Sequence, residues 1–527
     1  MNPTAAPSPA LARKKLPIGI QTFREIREDN CYYVDKTGMA VDLVQTGKAY
    51  FLSRPRRFGK SLFLDTLKEL FEGNRALFTG LAADPLWDWG KTHPVIRISF
   101  GAGVVQSRAD LDDVLDGQLL SMELRCGLSQ SDLSIRRRFS HLIEQLHAQT
   151  GERVVVLVDE YDKPILDNID NRAMALEVRE GLKDFYSVIK DSDAHVRFAL
   201  LTGVSKFSKV SLFSGLNNLT DITMDARYSA LCGYTETDVD TVFAAELPGL
   251  DRQQIRDWYN GYNWLGTPVY NPFDLLLLFR SHDFRPYWFE TGTPTFLVKL
   301  LTERLFFTPN LSRLHASESL LSAFDVEAIS TEALLWQTGY LTLAGERKIG
   351  ARTIYALGYP NLEVRSGLND ALLKGLMGDA SLAEQVQGRL FDALSALDFV
   401  ALKVHFQSLY SAIAHQWFTN NPITQYEGYY ASVFYSHFAA LGLDIRLEDP
   451  TNVGRIDMTV LFVGQVFLFE FKVVEMNPNG SALQQLKDMA YADKYRSRGE
   501  PIHLIGVEFS KASRNIVGFG VETLSAQ

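Results

Sequence analysis

Short apolar runs alternate with helical patterns over the first 230 residues of this chain. "AYFLS" (49–53) and "VIRISF" (95–100) read as strands. Residues 61–72 follow the first with Leu62, Phe63, Leu67, Leu70 and Phe71 on one helical face. Helical patterns fill 108–149, and "RVVVLVDEYDKP" (153–164) is almost purely aliphatic until it meets its acids. "VRFALLTGVSKFS" (196–208) repeats that design, ending in Thr202, Gly203, Ser205 and Lys206. Uninterrupted aliphatic runs belong to strands covered on both faces, which is the habit of parallel sheets. Strands alternating with helices predict a doubly wound α/β domain over 16–232, behind a disordered arm over 1–15.

The rhythm then changes. The pattern is helical from Thr235 to Gln337, and "GYLTLAGERKIGARTIYALGYP" (339–360) reads as a hairpin. Together they predict a helical lid with a winged-helix-like end over 233–365, followed by a helical connector over 366–418. From Pro422 come one helix, three strand-like runs, a further helix and a final strand over 501–509, which define a third domain over 419–527.

Composition narrows the class. At 527 residues, 46% hydrophobic and 22% charged, the chain is long enough for several globular domains. Cys31, Cys126 and Cys232 lie far apart, without metal-ligand or redox spacing, so the expectation is a reducing compartment, the cytoplasm. No apolar run reaches membrane-spanning length, "DLLLLF" (274–279) being far too short, so no membrane partner is expected. A net charge of −10 argues against a surface coated in basic residues but leaves room for a local basic groove.

"SRPRRFGKS" (53–61) sits between a strand and a helix, where backbone N–H groups and a helix N-terminus converge on an anion. Arg56, Arg57, Phe58, Gly59, Lys60, Ser61 and Leu62 form the expected phosphate cradle. Lys60 would reach the β- and γ-phosphates, and the Ser61 hydroxyl would join a Mg²⁺ shell. The usual signature has a glycine five positions before Gly59, where Arg54 stands here. Pro55 is expected to pre-shape the turn instead; the plain alternative is a basic turn ahead of an amphipathic helix. "VVVLVDE" supplies the second half of a nucleotide site, with Asp159 for Mg²⁺ and Glu160 to orient water. Either Thr202 or Ser205, at the end of the next strand, is placed to sense the γ-phosphate.

The opening run from "LPIGIQTF" through "YVDKT" to "RPRRFGKS" resembles the AAA-ATPase-like family of bacterial P-loop proteins. "LVDEYDKPI" (157–165), "TGVSKFS" (202–208), "WYNGY" (258–262), "YNPFD" (270–274) and "QTGYLT" (337–342) resemble its landmarks too, so the likeness covers most of the chain. That family commonly lacks the first glycine. The resemblance implies ATP binding, with Lys60, Ser61, Asp159 and Glu160 in the roles above. Asp35 and Lys36 match the "YVDKT" landmark, without a derivable role. Arg197 and Arg227 lie near the sensor region and are the candidates for a trans-acting arginine.

The third domain carries its own chemistry. In "GRIDMTVLFVGQVFLFEFKVVE" (454–475), two strand-like runs flank Gly464-Gln465. A turn there sets Val463 against Val466, Asp457 against Lys472 and Thr459 against Glu470. Asp457, Glu470 and Lys472 then share one face of a largely buried sheet. Two carboxylates and an ammonium are costly to bury unless they pair or hold a metal, and the plain alternative is a Lys472–Asp457 salt bridge. In the preceding helix, Glu427 falls on the stripe of Tyr430, Phe434, Phe438 and Leu441, an unusual place for an acid away from a helix's first turn.

An acid followed by an acid-x-lysine pair resembles the PD-(D/E)XK nuclease pattern, with Ile456 where the name of the motif has proline. The resemblance implies that Asp457 and Glu470 hold Mg²⁺ or Mn²⁺, supported by Glu427, and that Lys472 positions the attacking water. Gln485 and Tyr491 fall where such nucleases keep accessory groups. The expectation is an ATP-dependent machine acting on nucleic acid, DNA ahead of RNA, with a homo-oligomer allowed. One alternative is a nucleotide-dependent switch or binding module built on an inactive nuclease fold. Another is a nuclease whose ATP site is only structural.

Overall fold

The computed structural model describes residues 12–128, 133–206, 218–292, 297–298, 300–301, 311, 314–321, 330–350, 352–377, 380–412 and 427–526. The chain forms two compact units, Met1–Trp288 with Leu314–Asn361, and Phe289–Arg313 with Leu362–Gln527. Most of the expected lid therefore belongs to the same unit as the first sheet, and the expected connector belongs with the last one. Residues 1–11 of the expected arm lie outside the described residues, whereas Lys15 pairs with Cys31 in an isolated parallel bridge.

The first unit holds a five-stranded sheet of β1 (Ala49–Ser53), β2 (Val95–Ser99), β3 (Val154–Asp159), β4 (Val196–Gly203) and β5 (Thr220–Asp221). Its order is β2-β3-β4-β1-β5, and every pair is parallel, as the aliphatic runs predict. Ser53 pairs with Gly203, and Ser99 with Asp159. The ends of β1 and β4, and those of β2 and β3, are thus level at the carboxyl edge of the sheet, where open α/β sheets bind ligands. The helical stretch expected over 108–149 divides into Arg108–Arg125 and Ile135–Thr150. The two are tied by buried Arg138, whose Nη2 donates to Glu123 at 2.7 Å.

The "YVDKT" landmark acts as a clasp. Asp35 Oδ1 accepts from the Thr37 N–H at 2.8 Å and from its hydroxyl at 2.6 Å, while Oδ2 accepts from the Ala82 N–H at 2.7 Å. Thr37 Oγ1 accepts in turn from the Ala83 N–H, and Lys36 pairs with Asp238 at 2.9 Å. The expected hairpin is present as β7 (Thr342–Ile349) and β8 (Arg352–Gly358), and β6 (Leu314–Ser317) adds a third strand beside β8.

The second unit is built on β9 (Asp444–Pro450), β10 (Arg455–Phe462), β11 (Gln465–Val474), β12 (Ile502–Ser510) and β13 (Asn515–Leu524), in the order β13-β12-β11-β10-β9. Only β11 and β12 run parallel. Alternate residues of β11 serve two cores. Phe467, Phe469 and Phe471 pack with Phe406, Phe434 and Phe438, whereas Val466 and Leu468 pack with Leu486, Tyr491 and Tyr495. The strand β13 was not expected from the sequence.

Gly506 lets the helix Ser481–Asp488 press onto β12, because a Cβ there would stand 2.2 Å from the Leu483 backbone nitrogen. Gly506→Ala is expected to cost about 2–3 kcal/mol, read by urea unfolding of the whole protein. Elsewhere in this unit, the Nε2 atoms of His405 and His437 meet at 2.7 Å inside the core. One donates and the other accepts, so the accepting imidazole is neutral, and burial disfavours charge on either ring. Burial pulls the His405 pKa down to about 4 and that of His437 well below 6.5. The unfolded chain therefore takes up protons first. Stability is full above pH 6.5 and drains as pH falls toward 4, by roughly 1.4 kcal/mol per pH unit for each imidazole. Unfolding at pH 7 and pH 5 measures that slope, and the double variant His405→Phe/His437→Phe should show a shallower one, the buried His503, also lowered, keeping its share.

Candidate functional site

β1 ends at Ser53, and the chain then turns through Arg57 (φ 68°) and Gly59 (φ 90°) into the helix Lys60–Phe71. Arg57 is held in this left-handed conformation with its guanidinium 4.8 Å over the Phe273 ring. Arg54 does not enter the loop's interior. Its guanidinium donates to the carbonyls of Ser53 (2.8 Å), Thr223 (3.0 Å) and Tyr228 (3.1 Å) and lies 4.1 Å over Trp264. It is completely buried, and burial lowers its pKa to about 10. Phe58 is also buried, edge-on to Tyr262 at 4.7 Å and Trp264 at 5.6 Å. Outside, Trp288 Nε1 donates to the Arg56 carbonyl at 3.1 Å, and a Cβ on Gly339 would stand 2.6 Å from Pro55.

Lys60 is buried, and its ammonium donates to the carbonyls of Arg54 and Pro55, both at 2.9 Å. Burial lowers its pKa, against the pull of Asp159. Asp159 ends β3 almost fully buried. Its Oδ1 accepts from the Thr202 hydroxyl at 3.0 Å, and its Oδ2 lies 3.8 Å from the Arg97 guanidinium. Glu160 follows with φ 52°, half-buried, a left-handed backbone that non-glycine residues adopt at a cost. Burial raises its carboxyl pKa, Lys60 opposes that, and Asp159 reinforces it.

Asp162, which sequence reasoning passed over, takes up the other sensor candidate. Its carboxylate accepts from the N–H groups of Val204 and Ser205 and from the Ser205 hydroxyl. Thr202 thus stands on Asp159 and Ser205 on Asp162. The arginine candidates lie elsewhere: Arg197 is near the start of β4, at the other end from Thr202, and exposed Arg227 pairs with Asp225 at 2.6 Å.

In the second unit, the β10–β11 turn is Val463-Gly464, with φ of 46° and 70°, and not Gly464-Gln465. Two successive left-handed residues make the turn whose twist matches a two-residue hairpin, and exposed Val463 accepts that conformation. Val466 therefore pairs with Leu461 and Leu468 with Thr459. Every expected pair moves by two residues. An even shift keeps each paired side chain on its face; the pairing runs as far as Met458 with Phe469, so the expected pairing of Asp457 with Lys472 is not formed.

Asp457 Oδ2 accepts from the Phe471 N–H at 2.8 Å. Lys472 Nζ lies 3.4 Å from Glu470 Oε1, which also accepts from the Gln485 amide. Glu470 is buried and Lys472 is 32% exposed. Burial raises the Asp457 pKa, while the Phe471 N–H and Lys472 oppose it. Tyr491 is buried against Gly454 instead, and Ile456 is fully buried in the same core. Glu427 opens the helix Glu427–Ala440, but its side chain lies outside the described residues. Two further acids carry no sequence signal. Glu508, in register with Lys472, accepts from the Asn479 and Ala482 N–H groups and the Ser481 hydroxyl, capping the helix Ser481–Asp488. Asp449 gathers the hydroxyls of Thr459 and Tyr495 and the ammonium of Lys494.

Residues 17–213 match a family model described as "Predicted AAA-ATPase", and residues 425–519 match one for the PD-(D/E)XK nuclease superfamily. A protein of Azotobacter chroococcum mcd 1, described as "Uncharacterized protein in vnfD 5'region", is 65% identical over 515 residues, covering 98% of this chain and 100% of that protein. The chain belongs to the AAA-ATPase-like family, with a PD-(D/E)XK domain at its C-terminal end. No solved structure matches it. Among the described residues, no helix is long and apolar enough to cross a membrane.

For an AAA-ATPase-like protein, the donor set at the loop fits a hard divalent cation. Ser61 and Asp159 offer one hydroxyl and one carboxylate, few enough for a cation that takes the rest of its oxygens from phosphate and water. The described residues contain no group of three or more His, Cys, Asp or Glu close enough to hold a metal by themselves. Asp457 and Glu470 are hard oxygen donors as well, two where a self-sufficient site would need more. Arg54→Gly, which restores the missing glycine, removes the guanidinium bonds to the Thr223 and Tyr228 carbonyls, the second of which keeps the Leu231 N–H, and leaves a void over Trp264. It is expected to destabilise the protein by about 3 kcal/mol, measured by chemical denaturation.

Proposed function

We propose that this protein binds and hydrolyses ATP in its first unit and cleaves nucleic acid phosphodiesters, DNA before RNA, in its second. The observation that supports the first half most is the convergence of Lys60, Asp159 and Glu160 at the carboxyl edge of a parallel sheet, where the loop after β1 turns into the helix Lys60–Phe71. Lys60 moves from the Arg54 and Pro55 carbonyls onto the β- and γ-phosphates. The loop N–H groups hold the remaining oxygens. Ser61 and Asp159 hold Mg²⁺, which when bound neutralises charge on the transferring phosphoryl group. Glu160 orients the attacking water, and its raised pKa suits it to take a proton. Thr202 keeps Asp159 turned toward the metal.

In the second unit, Asp457 and Glu470, with Glu427, hold Mg²⁺ or Mn²⁺, which when bound stabilises charge on the scissile phosphate. Lys472, partly exposed beside Glu470, positions the water. Gln485 fixes the Glu470 carboxylate. ATP turnover controls access to this site. Three free cysteines accord with a cytoplasmic protein. A second reading has its own support. Glu470 is already engaged by Gln485 and Lys472, and Asp457 by the Phe471 N–H, an arrangement that would also suit a binding module switched by nucleotide.

The test is cleavage of supercoiled plasmid, linear single strands and RNA with Mg²⁺ or Mn²⁺, with and without ATP. Lys60→Ala is expected to abolish ATP binding. Glu470→Ala and Lys472→Ala should each lower cleavage by about 10²-fold or more while leaving ATP binding intact. A wild type that binds ATP and cuts none of the three substrates would favour the switch.

A further inference from the structure

Arg97 belongs to none of the motifs above. It lies on β2 in register with Leu157, two residues before Ser99, the partner of Asp159. Alternate residues of a strand share a face, so a long side chain at Arg97 runs up toward the end of β3. Its Nη1 donates to Asp65 Oδ1 at 2.8 Å, and its Nη2 lies 3.8 Å from Asp159 Oδ2. Asp65 stands four residues after Ser61, on the same face of the helix that begins at the phosphate loop. It too is nearly buried, and its other oxygen accepts from the Phe23 N–H at 2.7 Å. Asp159 is therefore supported on one oxygen by Thr202 and faced on the other by a guanidinium that Asp65 holds in place. A brace for the helix would need only the Asp65 bond. The second guanidinium nitrogen, directed at the acid expected to hold Mg²⁺, is what a brace leaves unexplained.

We propose that Arg97 is a positioning residue for Asp159, linking the orientation of that carboxylate to the phosphate-loop helix through Asp65. The proposal rests on the ATP reading above. A fixed guanidinium limits the rotation of the carboxylate, so the metal meets an acid already turned toward it. It also transmits shifts of the helix that carries Lys60 and Ser61 to the acid on β3.

The test separates metal from nucleotide. Binding of a fluorescent ATP analogue to the full chain is measured first in EDTA and then across a Mg²⁺ titration, for wild type, Arg97→Met and Asp65→Asn. Both variants are expected to keep the EDTA affinity within about twofold. Both should need about 10- to 100-fold more Mg²⁺ for its half-maximal effect, the size expected when a group behind a metal ligand is removed. An unchanged Mg²⁺ response overturns the proposal. So does a stronger response, which would make Arg97 a competitor of the metal. Equal loss of the EDTA affinity would reduce Arg97 to a structural brace and overturn it as well. Should Arg97→Met fail to fold, Asp65→Asn decides the matter, since it keeps the shape and removes the charge that anchors Arg97. A wild type that binds no analogue under either condition defeats the ATP reading itself, and the proposal with it.

Discussion

A sheet covered on both faces can carry charge only at its ends. β1, β3 and β4 are apolar and buried along almost their whole length, so the polar groups of the first unit collect where the strands stop. There each charge must find a partner or pay the cost of desolvation. Arg54 finds three backbone carbonyls and an indole face, Lys60 two carbonyls, Asp159 a hydroxyl and a guanidinium, and Asp162 two amides and a hydroxyl. Most of these charges are thus satisfied within the protein itself, the buried Arg54 Nε being an exception. On the ATP reading proposed above, a phosphate group would draw Lys60 from these two carbonyls to a stronger acceptor, a small rearrangement.

The second unit meets the same constraint with a half-polar solution. Its sheet is also covered on both sides, but Asp457, Glu470 and Lys472 lie near one another, together with Gln485, and are not confined to strand ends. The buried carboxylates are tolerated because each oxygen named accepts from an amide or an ammonium. That network rigidifies the acids in a geometry that a metal would have to compete for. Whether such a cluster cuts or only holds its partner therefore depends on how readily Lys472 and Gln485 yield Glu470, which is a matter of side-chain exchange and not of fold.

The architecture was legible because its signals are local. Aliphatic runs, a strand-turn-helix junction and a period of two on β11 each occupy a few adjacent residues, and they led to the parallel sheet, the loop and the two alternating faces of β11. Even the error in the β10–β11 turn was survivable, because a shift of two residues preserves the face. Partners distant in sequence were not legible. Asp162 meets Ser205 across 43 residues, Arg97 meets Asp65 across 32, and Arg54 meets the Tyr228 carbonyl across 174. No periodicity or motif marks such pairs. Their signal, a charged residue inside an apolar strand, was present only for Arg97 in "VIRISF".

Arg54 shows why the missing glycine is no sign of decay. In a glycine-led loop, flexibility at the first position lets the backbone turn close to the phosphates. Here the turn comes later, at Arg57 and Gly59, and the first position is free to carry a side chain. That side chain ties β1 to the Thr223–Tyr228 segment and to Trp264. Rigidity then comes from below the loop instead of from its own conformation, with Phe58 anchored among the same aromatic rings. A loop held in this way owes its shape to its own contacts, and Lys60, resting on the carbonyls of Arg54 and Pro55, inherits its position from that brace.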